Sequence, residues 1–483
     1  MIGLFGELRR LPDWWQSLSE ESIAGAPGPK YAETLLPHLV AGLFRLWLAI
    51  FVSTYGRKSW TTLVRLFVAP FAITYFYKFG FSYFRTLEDG GDFDPQLHTG
   101  IATVALYCMM RIIETCVIQL SDGSELPRVI NIQTGTPLPL PNTFRGRLAY
   151  SIDLVFGMRG CSWRSGRYWD FAAPRVVEGI KQQYTWSKGE FLRKSVAWFV
   201  ICYFTVDAVD TFVKSMDFNA LSPYPVSATL PLWLQILCAI ALCTWIYLGI
   251  AVYYCIISIF FTFIGITSPE AWPPMFNMPF FADSIADFWG NRWHYLLRQT
   301  FGSLLSVFSS ASDGRAMNPR RLAFHRGKNV VIVFIFSTLL HLIIMDRVPI
   351  DARRPHTKFW DVSIISFYLA QPIGIILESL LVLSLAPNDQ SNSNGSPKKD
   401  TDAYGTTGDA QVSGAGLTKK PLPPKLRVAR RIFAWIWLVW SARWWADAWV
   451  NRGLWEPDIR VVYWSPIRGL LIGDWTGIGK LSK

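Results

Sequence analysis

Two histidines and the polar residues spaced around them carry the chemistry this sequence can offer. His294 follows Asp287, Phe288, Trp289, Gly290, Asn291, Arg292 and Trp293, and Arg298 lies one turn beyond it. On a continuous helix Asn291, His294 and Arg298 recur at i, i+3 and i+7. An amide, an imidazole and a guanidinium would then share a face, while Trp289 and Trp293 supply apolar area. His341 differs in kind, because it closes the run Phe336, Ser337, Thr338, Leu339, Leu340 inside an almost uncharged segment. In such surroundings desolvation favours the neutral imidazole, the form that accepts a proton. That base could take the proton of a hydroxyl whose oxygen attacks an acyl thioester, with Ser337 one turn earlier holding the other ring nitrogen.

The same residues have simpler readings, which stay open on spacing alone. Asn291 and Arg298 could be interfacial polar residues, Arg292 could only set topology, and His341 could bridge helices by hydrogen bonds. An ionisable group at depth in a membrane is costly, however, and usually serves function.

What must position these residues is a set of apolar helices. The chain has 483 residues, 51% of them hydrophobic, 15% aromatic and only 17% charged. It reads as an all-α polytopic membrane protein with about 8–9 transmembrane helices, since a span needs about 20 apolar residues. Spans are expected near 35–52, 60–84, 99–120, 195–213, 230–266, 329–345, 362–385 and 432–450, with an apolar patch at 470–472 that could re-enter. The run 230–266 holds no internal proline or charge, so one long tilted helix is expected rather than a hairpin. Arg111 and Glu114, three apart in the third span, can pair, and Asp207 and Asp210 share a face near the end of the fourth.

The formal net charge of +12 fits basic cytoplasmic loops, not nucleic-acid binding. The seven cysteines show no metal-ligand spacing and lie mostly in apolar runs, so no metal is implied. Organisation follows: a lead-in at 1–33, a transmembrane core at 34–385, a polar loop at 386–427 expected to be disordered and cytoplasmic, and a last helix and tail at 428–483.

Several ordered motifs resemble the wax synthase-like branch of the membrane-bound O-acyltransferase superfamily. They are Trp272-Pro273-Pro274-Met275-Phe276, then Asp287 to His294, then His341 behind Phe336-Ser337-Thr338-Leu339-Leu340. Met158-Arg159-Gly160-Cys161-Ser162-Trp163 is similar to that branch's Arg-Gly-x-Gly-Trp element, and the likeness covers roughly residues 155–385. Two departures stand out: Cys161-Ser162 precedes Trp163 where a glycine is usual, and Asn291 occupies a position that is basic in many relatives.

The resemblance implies a multi-helix chamber in which acyl-CoA arrives from the cytosol and a lipophilic alcohol from another side. It makes His341 the general base and assigns His294 to the thioester or its oxyanion. Asn291, Arg292, Arg298, Trp289, Trp293 and Ser337 would support these two or meet the acyl-CoA. Acyl-CoA, acetyl-CoA by the fungal secondary-metabolism type, is a co-substrate and no bound cofactor is implied. The expected activity is acetyl transfer to a terpenoid or polyketide alcohol in the endoplasmic reticulum membrane. Wax ester synthesis is the alternative within the enzymes, and a transporter is the alternative of another class.

Overall fold

The computed structural model describes residues 31–81, 95–120, 126–131, 134–157, 160–163, 167–172, 174–183, 185–216, 230–293, 296–308, 319–346, 359–385, 423–452, 454–455 and 461–476. The lead-in and the polar loop expected to be disordered therefore lie outside the described residues, apart from Tyr31 to Glu33 and Pro423 to Arg427.

The described residues are helical and carry only isolated β-bridges. In chain order the helices are α1 (Tyr31–Ser53), α2 (Ser59–Phe81), α3 (Pro95–Cys116), α4 (Phe144–Val155), α5 (Pro174–Gln183), α6 (Lys188–Ser215) and α7 (Leu232–Phe263). After a short helix α8 (Ile285–Asp287) come α9 (Arg298–Phe308), α10 (Pro319–Asp346), α11 (Val362–Leu385), α12 (Pro424–Val450) and α13 (Pro466–Ile472).

Among the described residues seven helices are long and apolar enough to cross a membrane: Leu35–Ser53, Ser59–Phe81, His98–Leu120, Lys188–Ser215, Leu232–Phe263, Gly327–Asp346 and Val362–Val382. The expected count of 8–9 is slightly high. Helix α12 is long enough but carries Arg427, Arg430, Arg431, Arg443 and Asp447, which lower its hydropathy. Helix α13 has only 7 residues, too few to span. Residues 232–263 form the single helix that the uninterrupted run predicts; at 32 residues it is roughly 48 Å long and must tilt to stay within the hydrocarbon.

Two apolar clusters make the core. One joins α6, α7, α10, α11 and α12; the other joins α1, α2, α3, α4 and α10. Helix α10 is the wall between them, with Phe334, Leu342 and Met345 in the first cluster and Leu340 and Ile344 in the second. Spacing of three to four residues puts these two sets on different sides of one helix.

Small residues allow close approach where helices cross. A Cβ on Gly374 of α11 would clash with Nε1 of Trp437 on α12, whose indole donates to the Ala370 carbonyl at 3.1 Å. Gly374→Ala is therefore expected to destabilise the protein by about 1–3 kcal/mol through overpacking, read as a lower thermal midpoint in detergent. Pro372 removes a helical donor in α11, and side chains crowd the carbonyls there: Gln371 bonds the Phe367 carbonyl at 2.8 Å and Trp437 that of Ala370.

Several charges inside the bundle meet an opposite charge. Arg111 and Glu114 meet at 2.5 Å as the spacing predicts, and Gln299 and Ser303 of α9 add bonds to Glu114 at 2.9 and 3.0 Å. Asp210 pairs with Lys214 at 3.1 Å, while Asp207 accepts from the Ser465 hydroxyl and from the Ile467 amide. The two aspartates thus tie the end of α6, and Asp207 docks α13 onto it. All seven cysteines are thiols, six of them buried.

Candidate active site

The site is built where a non-helical segment meets the middle of three long helices. Residues 264–284 bond their own backbone only in short turns such as Pro269–Ala271 and Pro279–Phe281, and side chains from the surrounding helices meet several of the remaining groups. Gln183 of α5 donates to the Trp272 carbonyl at 2.8 Å, and Tyr254 of α7 to the Pro273 carbonyl at 2.6 Å. Trp435 of α12 donates to the Ala282 carbonyl at 3.2 Å, and Glu378 of α11 accepts from the Ile285 amide at 3.1 Å. Met278 adopts a left-handed backbone with φ 42°, turning the chain back toward Arg292, whose carbonyl accepts from the Asn277 amide at 3.0 Å.

Ser284 caps α8, its hydroxyl accepting from the Asp287 amide at 2.8 Å. The helix then widens into a π turn over Phe288–Arg292 and ends at Trp293, whose ψ of 169° is extended. The continuous helix expected from Asp287 to Arg298 does not form, so the i, i+3, i+7 face of Asn291, His294 and Arg298 is not a helical face. Asp287 is the physical reason: it gathers Asn291 at 3.1 Å and Arg292 at 2.5 Å onto one carboxylate and closes the turn on itself. Such π turns recur at functional sites. His294 lies outside the described residues, and Arg298 is the first residue of α9.

Arg292 also reaches the Met278 carbonyl at 3.3 Å, so Asn291 and Arg292 hold the segment together. Burial raises the Asp287 carboxyl, but the Arg292 and Asn291 bonds outweigh it and hold the group below the usual carboxylate range. A depressed folded value means that this carboxylate stabilises the segment above the unfolded value near 4. The contribution is lost as pH falls through the lower folded value. Hydrogen exchange of peptides covering 277–293 is expected to be flat from about pH 5 to 8, apart from the chemical exchange rate, and to rise only in acid.

Trp289 carries the segment toward the helices around His341. Its indole donates to Gln371 Oε1 at 3.1 Å, and Gln371, fully buried, also bonds the Ser441 hydroxyl at 3.0 Å. The Trp289 ring meets Phe334 at 5.8 Å and Phe367 at 6.2 Å, edge to face. Trp293 packs on Phe276 and Phe288.

His341 sits half-buried on α10, with Tyr368 of α11 stacked on its ring at 4.2 Å and Trp445 of α12 edge-on at 5.5 Å. Its Nδ1 lies 2.7 Å from the Ser337 carbonyl and 3.5 Å from the Ser337 hydroxyl. The expected partner residue is therefore right, but the closer atom is its backbone oxygen, because a helical carbonyl points toward residue i+4. A carbonyl only accepts, so Nδ1 carries the proton and Nε2 is the basic nitrogen.

The structure thus brings Trp289, Ser337 and His341 into one aromatic neighbourhood and leaves Asn291 and Arg292 on Asp287. Sequence reasoning missed Tyr368, Gln371 and Trp445. Tyr368 and Gln371 stand three apart in an apolar span, a spacing that signals one polar helical face. Among the described residues no group of His, Cys, Asp and Glu could hold a metal ion.

Residues 272–365 match the model of the membrane bound O-acyl transferase family. The chain is 34% identical over 129 residues to acetyltransferase ataH of Aspergillus terreus, covering 27% of this chain and 39% of that protein. It is 28% identical over 129 residues to acetyltransferase TRI7 of Fusarium sporotrichioides, covering 26% and 27%. Acetyltransferase spyB of Aspergillus fumigatus is 25% identical over 142 residues, covering 29% and 22%. The chain therefore spans 39% or less of the length of these relatives. No solved structure matches it.

Proposed function

From the premise that residues 272–365 are a membrane bound O-acyl transferase segment, we propose that this integral membrane protein moves an acetyl group from acetyl-CoA to a hydroxyl of a hydrophobic alcohol. The observation that carries the reading is the contact that His341 makes within the apolar bundle. Its Nδ1 lies 2.7 Å from the Ser337 carbonyl, which leaves Nε2 as the nitrogen that accepts a proton when the ring is neutral.

In the proposed reaction Nε2 removes the alcohol proton as the alcohol oxygen attacks the thioester carbonyl. The tetrahedral intermediate then collapses, the carbon–sulfur bond breaks, and the imidazolium returns the proton to the leaving thiolate. The products are an ester and free CoA, with His341 neutral again. His294 is assigned to the developing oxyanion, where a donor counts most in a water-poor site. Asn291 and Arg292 act through Asp287 as scaffold, and Arg298 stands at the start of the helix that follows. Trp289 and Trp293 line the approach.

Terpenoid and polyketide alcohols are the proposed acceptors; the names of the matched relatives, which say acetyltransferase, support the acetyl donor. The endoplasmic reticulum is the proposed membrane. The test is a matrix of donors and acceptors. Microsomes carrying the protein receive acetyl-CoA or palmitoyl-CoA with terpenoid, polyketide, sterol and long-chain alcohols, and products are read by mass. Acetyl esters of a polycyclic alcohol are expected. Palmitoyl esters of a linear alcohol would replace this reading by wax synthesis, and no ester with any pair would remove acyl transfer.

A further inference from the structure

The family match ends at residue 365, yet two rings that touch His341 come from beyond it, on α11 and α12. A hydrogen bond at Nδ1 fixes one atom of the imidazole and not the plane of its ring, and a general base whose ring turns loses the near-attack geometry its rate depends on. A planar side chain against the ring face removes that freedom.

We propose that Tyr368 is a positioning residue for His341, its ring face fixing the plane of the imidazole so that Nε2 points to one place in every turnover. The inference rests on the acyl-transfer reading and extends it to a residue outside the matched segment. Three observations carry it. The two rings lie 4.2 Å apart with an interplanar angle of 27°, a stacked pair and not an edge contact. Tyr368 is itself immobilised: it is buried, with Phe367 edge-on at 4.8 Å and Trp445 edge-on at 5.4 Å. Trp445 also closes on His341 at 86°, so the imidazole has one ring on its face and another against it at right angles.

The same face of α11 presents Gln371, one turn after Tyr368, to Trp289. Helix α11 therefore sets the histidine plane and the docking of the 272–293 segment with two adjacent turns. A small rotation of α11 would disturb both together.

The test compares Tyr368→Phe, which keeps the ring, with Tyr368→Leu, which removes it, using the full chain in microsomes and initial rates of ester formation. The Phe variant is expected within about threefold of wild type. The Leu variant is expected to lose about 10- to 100-fold in kcat while KM for acetyl-CoA stays within threefold, since misplacement on this scale costs up to about 100-fold. On a His341→Ala background Tyr368→Leu should have no further effect on the residual rate, because Tyr368 acts only through the imidazole. If Tyr368→Leu does not accumulate, Tyr368→Met fills the volume without a planar face and is held to the same criteria.

A Leu or Met variant within threefold of wild-type kcat overturns the proposal. So does a Phe variant that falls as far as Leu, which would place the effect in the hydroxyl. So does an equal loss on the His341→Ala background, which would mark a structural role. A wild type that makes no ester overturns the acyl-transfer reading, and the role of Tyr368 with it, whereas an active wild type with an unimpaired Leu variant overturns Tyr368 alone.

Discussion

His341→Ala is expected to lower kcat for ester formation by about 10²- to 10⁴-fold, the usual contribution of a positioned general base. KM for acetyl-CoA should change little. The imidazole is assigned to the alcohol proton in the transition state and not to ground-state binding of the donor, and removing a transition-state interaction lowers kcat and kcat/KM together. Stability should fall only modestly. The side chain is half-exposed, and its Ser337 bond is to a carbonyl that lies in the ladder of its own helix. Initial rates at saturating acetyl-CoA, normalised to the amount of protein in the membrane, check the result. A variant whose kcat is unchanged and whose KM rises would move His341 from base to binding residue.

Arg452→Met is expected to have the largest effect on stability, about 3–5 kcal/mol, because it leaves one partner of a buried ion pair alone. The Arg452 guanidinium meets Asp361 at 2.7 Å and donates to the Met345 carbonyl at 2.8 Å and the Ala448 carbonyl at 2.8 Å. Both charged side chains are below 10% exposed, at 2% and 8%. Asp361 also caps α11, accepting from the Ser363 amide at 2.9 Å. One arginine therefore clamps the end of α10, the start of α11 and the end of α12, the three helices that carry His341, Tyr368 and Trp445. A fall in thermal midpoint should be accompanied by lost activity in the protein that remains folded, since the relative position of the three helices is loosened. Lysine is not expected to rescue, because its donors all sit on one nitrogen and cannot reach the separate acceptors that Nε and Nη1 of the planar fork meet together. Thermal aggregation in detergent and the specific rate of the soluble fraction are the two measurements.

Much of the scaffold is legible in the chain because hydrocarbon is an unforgiving solvent. Each apolar run of adequate length became a helix, the uninterrupted 230–266 stretch became one, and Arg111 found Glu114 one turn away. The excess in the expected number of spans comes from α12, whose aromatic richness reads as membrane-spanning while its four arginines and Asp447 do not. Local competition explains the larger difference. Between Asp287 and Arg298 the periodicity describes a helix, but a carboxylate that can bind Asn291 and Arg292 together favours a π turn, which ends at Trp293. Periodicity weighs apolar area and is blind to which polar group a side chain meets.

The site was legible in its most unusual member and illegible in its surroundings. His341 stands out because an ionisable group deep in an apolar helix is expensive. Its ring neighbours, by contrast, are a tyrosine and a tryptophan on later helices; Gln371 three residues on is the one signal beside Tyr368, and Trp445 sits among many aromatics of the same kind. Their role appears only when α10, α11 and α12 are packed. Asn291 and Arg292 show the converse: a motif reading places them near the acyl-CoA, and the packed chain bonds both to Asp287.

The most direct measurement supplies acetyl-CoA with one isotope in the acetyl carbonyl and another in the nucleotide, together with the acceptor that the matrix identifies, to wild type and His341→Ala. Base-assisted transfer by His341 predicts one acetyl in the ester for each CoA released, release that depends on the alcohol, and both signals reduced together by about 10²- to 10⁴-fold in the variant. Alcohol-independent release of CoA, or equal ester from the two proteins, would contradict it.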